Sequence, residues 1–178
     1  MARQHNIFGG GSKTNENGLS FERDTSLEEA LINAGYIVQN EHIFDKNKKL
    51  IGLSVPKNNL YKKFLEKKHI DYRNFNSKKW LPDEAFYNIQ EKTIYIIEKK
   101  YQQTSGSVDE KLPNCDFKKK EYQKLFTPLN ISVKYIYVFN NWFKNPQYND
   151  VLQYILDTNC EYYYNEIPFD ALGLKKDN

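Results

Sequence analysis

The sequence has few of the residues that announce a thiol or zinc centre: two cysteines, Cys115 and Cys160, and three histidines, His5, His42 and His69. Neither set has zinc-ligand spacing, the histidines fit no His-Asn-His arrangement, and neither cysteine has an evident base partner. These gaps argue against zinc modules and against nucleophilic cysteine chemistry. Long apolar runs are missing too: none approaches the ~20 residues of a membrane span. The opening "MARQHNIFGGGSKTNENG" lacks the apolar core of a secretory signal, so both cysteines read as reduced thiols in a cytoplasmic protein. Within it, "GGGSKT" is not a phosphate loop, because Ser12 separates Gly11 from Lys13 and no strand precedes it. Internal repeats and interdomain linkers are absent as well.

What the chain does have is aromatic bulk. Fourteen tyrosines, eleven phenylalanines and 39% apolar residues supply a core and argue against general disorder. At 178 residues a single domain, 1–178, is expected, with 1–18 as a loosely ordered polar arm. The net charge of +3 conceals an asymmetry. Between Phe44 and Trp80 there are 11 Lys or Arg against 3 Asp or Glu, leaving 15 against 20 elsewhere. Such a segment is either a polyanion-facing surface or a solvated lysine-rich excursion, and charge alone does not choose.

The spacing predicts a helix within Leu19–Ala34, with Ser26 and Glu29 as a capping box and Gly35 at the C-terminus. Whether Leu19–Asp24 belongs to that helix or forms a separate one is left open. A strand pair is expected over Ile37–Val55 around "DKNKK", then an amphipathic helix over Asn58–His69 with Leu60, Tyr61, Phe64 and Leu65 inward. Ala85–Ile89 and Thr93–Lys100 read as a hairpin. A helix within Ser107–Leu125, a strand at Ile131–Phe139, a helix at Tyr148–Leu156 and a strand at Glu161–Tyr164 complete the pattern. The fold class is α/β: a mixed sheet flanked by helices.

The strand "TIYIIEKK" ends in three consecutive charges. Alternation puts Ile94, Ile96, Glu98 and Lys100 on one face and Lys99 on the other. Asp83, at the start of the partner strand, can lie close to Glu98. Two carboxylates and an ammonium at one sheet end suit phosphodiester hydrolysis, since hard oxygen ligands bind Mg²⁺ and a nearby lysine can orient water or offset charge on the phosphate. The competing reading is a solvated charge arrangement at a strand end.

The stretch "LPDEAFYN…TIYIIEKKYQQTSGSVDEKL" resembles the active-site hairpin of PD-(D/E)xK nucleases, particularly small type II restriction endonucleases. Pro82-Asp83 matches the first element of that motif and Glu98-Lys99-Lys100 the second, while "NENGLSFE", Asn15–Glu22, is similar to the group's N-terminal helix. The resemblance implies an αβββαβ core, Asp83 and Glu98 as metal ligands, Lys100 as catalytic lysine, and Glu22 as an auxiliary acid or a structural surface residue. It implies Mg²⁺ as cofactor, sequence-specific cleavage of double-stranded DNA, a homodimer and a companion DNA methyltransferase.

DNA contacts are expected from Lys57, Lys62, Lys63, Lys67, Lys68, Lys78 and Lys79 on phosphates, with Arg73 as a base reader. Gln102 keeps the facing of Lys100 and is either a phosphate contact or a surface amide. The alternatives are a repair or recombination nuclease on the same scaffold and a non-catalytic DNA-binding module. The latter is disfavoured by the presence of both acids and the lysine.

Overall fold

The computed structural model describes residues 10–174 apart from 105 and 107, with backbone alone for 10–16. The polar arm expected through residue 18 is helical from position 10 onward: α1 spans Gly10–Asp24. Residues 1–9 lie outside the described residues, as does His5. A second helix, α2, covers Leu27–Asn33. The two are separate because Ser26 leaves helical geometry to accept the Glu29 amide at 3.4 Å, which starts a new helix. Gly35, at a φ of +90°, ends α2 in the left-handed conformation a side chain disfavours.

Instead of one strand pair, Ile37–Ser54 forms a three-stranded meander: β1 (Ile37–Gln39), β2 (His42–Phe44) and β3 (Leu50–Ser54). The extra turn comes from Asn40 and Glu41, both with positive φ. The predicted "DKNKK" turn joins β2 and β3, with Asp45 accepting from the Asn47 and Lys49 amides at 2.9 Å each. Beyond it, the expected amphipathic α-helix is a π-helical turn at Leu60–Leu65 followed by a 3₁₀ turn. Its inward residues are as predicted, with Leu60, Tyr61, Phe64 and Leu65 all buried.

The hairpin is β4 (Glu84–Asn88) and β5 (Thr93–Lys100); β6 (Ser132–Phe139) and β7 (Glu161–Tyr164) follow α3 (Cys115–Phe126) and α4 (Asn149–Asp157). Among the described residues the seven strands form one sheet in sequential order. It is antiparallel from β1 to β5 and parallel from β5 to β7. Parallel pairing demands crossovers, and α3 and α4 provide them. The architecture is therefore the mixed, helix-flanked α/β sheet that the pattern predicts.

Two apolar layers hold the sheet. Ile94 and Ile96 of β5 pack with Ala85, Tyr135, Tyr137 and Phe139 beneath α3 and the π-helical turn. On the opposite face, Tyr95 and Ile97 join Phe86, Ile136 and Val138 with Phe21, Leu27 and Leu31 of the first two helices. Each buried isoleucine contributes ~1.5–3 kcal/mol. Strand β5 is thus clamped from both faces up to its charged end. Cys115 and Cys160 are free and buried, both beside Thr158.

Candidate active site

In the hairpin register Glu84 opposes Ile97, which places Asp83 across from Glu98 just before β4 begins. The alternation of two strands then sorts the charges into two layers. Asp83, Glu98 and Lys100 lie on the α3 side, and Glu84 and Lys99 on the side of α1 and α2.

Asp83 is fixed by the backbone, because the Lys99 amide donates to its Oδ2 at 2.7 Å. Glu98 has a side chain only 6% exposed, and two ammoniums hold its two oxygens. Lys100 Nζ donates to Oε2 at 3.0 Å and Lys118 Nζ to Oε1 at 3.2 Å. Lys100 Nζ also donates to the Lys99 carbonyl at 3.0 Å and stands 3.8 Å from Asp83 Oδ2. One cation therefore sits among two carboxylates and a main-chain carbonyl. That all-oxygen set is of the kind hard divalent cations take, so the residues present fit such an ion. Among the described residues no group of three or more His, Cys, Asp or Glu side chains could hold a metal, so the carbonyl and waters would have to complete the set.

The phenols of Tyr122 and Tyr135 end in the same region, buried and without hydrogen-bond partners. Burial first, and the charge of Glu98 second, push both phenols up, so they remain neutral.

The opposite layer is a buried ion pair. Lys99, whose side chain is 2% exposed, meets Glu84 at 2.9 Å and donates to the Glu22 carbonyl at 2.8 Å. Glu84 also accepts from the Leu27 amide at 3.1 Å. Burial pushes the Glu84 carboxyl up, and the Lys99 charge works against that rise. This pair ties the N-terminal helices to the hairpin.

Of the predicted site residues, Asp83, Glu98 and Lys100 are brought together. Glu22 is exposed near the end of α1 and lines a cavity of about 280 Å³ with Asp83, Glu84, Lys99 and Lys57, where its backbone carbonyl meets Lys99. Lys57 reaches this cavity because its amide bonds the Pro82 carbonyl at 3.0 Å. Lys62, Lys63, Lys67 and Lys68 are exposed on the π- and 3₁₀-helical turns, with Lys63 3.6 Å from Glu41. Lys78 lies over the Trp80 ring at 4.3 Å, and Lys79 over Tyr61 at 4.6 Å.

One expectation needs correction. Gln102 is neither a surface amide nor positioned to meet phosphate: it is 5% exposed, its amide has no partner, and Asn140 grips its backbone on both sides. Arg73, with a side chain 75% exposed, pairs with Asp71, its Nη2 2.6 Å from Oδ2, and this pairing draws the aspartate down to about 2.

The residue missed in the sequence is Lys118. It was hidden in "KKK", yet the buried positions Cys115 and Tyr122 of α3 put residue 118 on the sheet-facing stripe. A charged residue on that stripe was the available signal.

Residues 51–124, from β3 through most of α3, match the family model of a PD-(D/E)XK nuclease superfamily domain, which suggests nuclease activity. Nucleases of that superfamily generally use divalent metal ions. No curated protein and no solved structure shows significant similarity to the chain. Among the described residues, no helix is long and apolar enough to cross a membrane.

Proposed function

We propose, with the nuclease-superfamily match as premise, that the chain is a Mg²⁺-dependent endonuclease of the type II restriction kind, cutting both strands of DNA at a short sequence. The observation that carries this reading is the Lys100 ammonium held among Glu98 Oε2, the Lys99 carbonyl and Asp83 Oδ2. These oxygens would hold the metal, which supplies polarisation of the scissile phosphate and a water of lowered pKa.

The chain's own groups do the rest. Asp83 is pre-oriented by the Lys99 amide, so no rotamer freedom is lost on loading. Glu98 is oriented by Lys118 from the far side. Lys100, relieved of its three oxygens, hydrogen-bonds the attacking water or the phosphate and offsets the charge that develops there. Glu22 would act as an auxiliary acid from the cavity it shares with Asp83 on the Glu84–Lys99 side of the hairpin. Lys57, Lys62, Lys63, Lys67, Lys68, Lys78 and Lys79 would meet backbone phosphates. A pair of such chains acting on a symmetric site, and a methyltransferase protecting host DNA, complete the reading.

The test is digestion of a sequenced plasmid with Mg²⁺ and with EDTA, followed by end sequencing. Discrete fragments sharing one terminal sequence are expected with Mg²⁺ and none with EDTA. A smear would point to a repair-type nuclease. Asp83→Ala and Lys100→Ala should each lower cleavage by about two orders of magnitude or more, with circular dichroism unchanged. Full cutting by either variant would sink the site assignment.

A further inference from the structure

The core leaves one aromatic residue beside these carboxylates unexplained. Helix α3 buries Cys115, Tyr122, Leu125 and Phe126, and Phe117 lies off that stripe at 52% exposure. It is not isolated. Trp80 packs edge-to-face on it with ring centroids 5.8 Å apart, and Leu81, 51% exposed, follows Trp80 in the chain. The Tyr61 hydroxyl anchors this segment by donating to the Trp80 carbonyl at 2.6 Å.

Cations surround the patch. Lys78 covers the Trp80 ring at 4.3 Å and Lys118 approaches it at 5.8 Å. Lys118 is the same ammonium that holds Glu98, so the patch and the catalytic carboxylates share one side chain. The indole of Trp80 is thus occupied by lysines and by Phe117, which leaves the phenyl ring of Phe117 as the open aromatic surface.

An exposed aromatic with lysines beside it meets the two demands of a nucleotide: a π-face for the base and positive charge for its phosphate. A protein partner would need a broader apolar face than one ring and a leucine. We propose that Phe117 is a stacking seat for an unstacked base next to the scissile phosphate, backed by Trp80 and flanked by Lys78 and Lys118. The occupant is a nucleobase of the DNA strand being cut. This proposal rests on the nuclease reading alone and not on the restriction type: strands with an unpaired nucleotide beside the cut are bound better than fully paired ones, which is the preference of a structure-selective nuclease on the same scaffold.

The test measures binding, with Ca²⁺ replacing Mg²⁺, of three fluorescent oligonucleotides: single-stranded DNA, a duplex with one unpaired nucleotide, and the fully paired duplex. Phe117→Ala should weaken the first two about thirtyfold, the middle of the range for loss of one base–aromatic stack. It should leave the paired duplex within about twofold, inside the scatter of exposed-site effects. Phe117→Tyr should restore binding. Leu156→Ala, which trims a comparably exposed residue of α4, should change nothing.

Equal binding of all three DNAs by Phe117→Ala and the parent chain overturns the stacking seat, as does an equal loss with Leu156→Ala. Cleavage is scored separately with Mg²⁺. Cutting that persists without any Phe117 effect leaves the nuclease reading intact and removes only this proposal. A Phe117 effect without cutting removes the nuclease reading and leaves Phe117 as a base-stacking seat on a chain that binds DNA without cutting it.

Discussion

Lys118 is the residue whose role depends most on its neighbours. On a solvated helix it would be one lysine in a row of three, yet its ammonium meets Glu98 Oε1 at 3.2 Å with its side chain 22% exposed. Replacing it with methionine keeps the stem against Trp80 and removes the charge that orients Glu98. The expected result is a loss of about tenfold to a hundredfold in single-turnover cleavage, with the thermal midpoint within a few degrees of the parent. An unchanged rate would reduce Lys118 to a packing residue. Arg73 is the opposite case. It looked free in the sequence, but Asp71, two positions earlier, accepts from it, and no alternation rule signals a pairing made within a turn.

The hairpin carries the proposed site and, in its far layer, a pair that matters for stability. Its far layer is the largely buried Lys99–Glu84 pair, joined to Leu27 and Glu22. Removing one partner of a buried pair leaves the other uncompensated, so Lys99→Met should cost ~3–5 kcal/mol, read by urea denaturation. Adding Glu84→Gln should recover most of that loss. The single variant also has a pH signature. Burial raises the folded Glu84 carboxyl above its unfolded value, so the native state binds the proton more readily. Stability of Lys99→Met should therefore rise as pH falls through the raised folded value, and level off below the unfolded value of about 4.3. Stability that falls over the same interval would refute this account. Gly52 of β3 serves the same hairpin from outside, since any Cβ there would run into the Phe86 ring and the Tyr87 carbonyl.

Across the whole molecule, the basic excess of residues 44–80 lies on surface turns while the carboxylates gather at the end of β5. Phosphate binding by the exposed lysines predicts strong salt dependence. Each phosphate that a lysine neutralises adds about 0.9 to the log–log slope of affinity against salt, because its counterion is released. Changing Lys62, Lys63, Lys67 and Lys68 to glutamine should flatten that slope by up to about 3–4, measured by anisotropy between about 50 and 200 mM salt. A slope that does not move would assign these lysines to solvent.

The sequence by itself determined the mixed α/β class, the two faces of β5 and the residue types at its charged end. Alternation and apolar runs are local, and local patterns survive without coordinates. It could not decide what met those residues from elsewhere in the chain. That α1 is helical from Gly10, that Glu41 bends the meander, and that Gln102 is buried under Asn140 all depend on neighbours distant in sequence or on backbone geometry. The same holds at the site. Asp83 opposite Glu98 could be read from the hairpin, but Lys118 on Glu98 and Trp80 on Phe117 arise where α3 crosses over the sheet. Tertiary structure decided those contacts because a parallel crossover brings together residues that no period in the sequence relates.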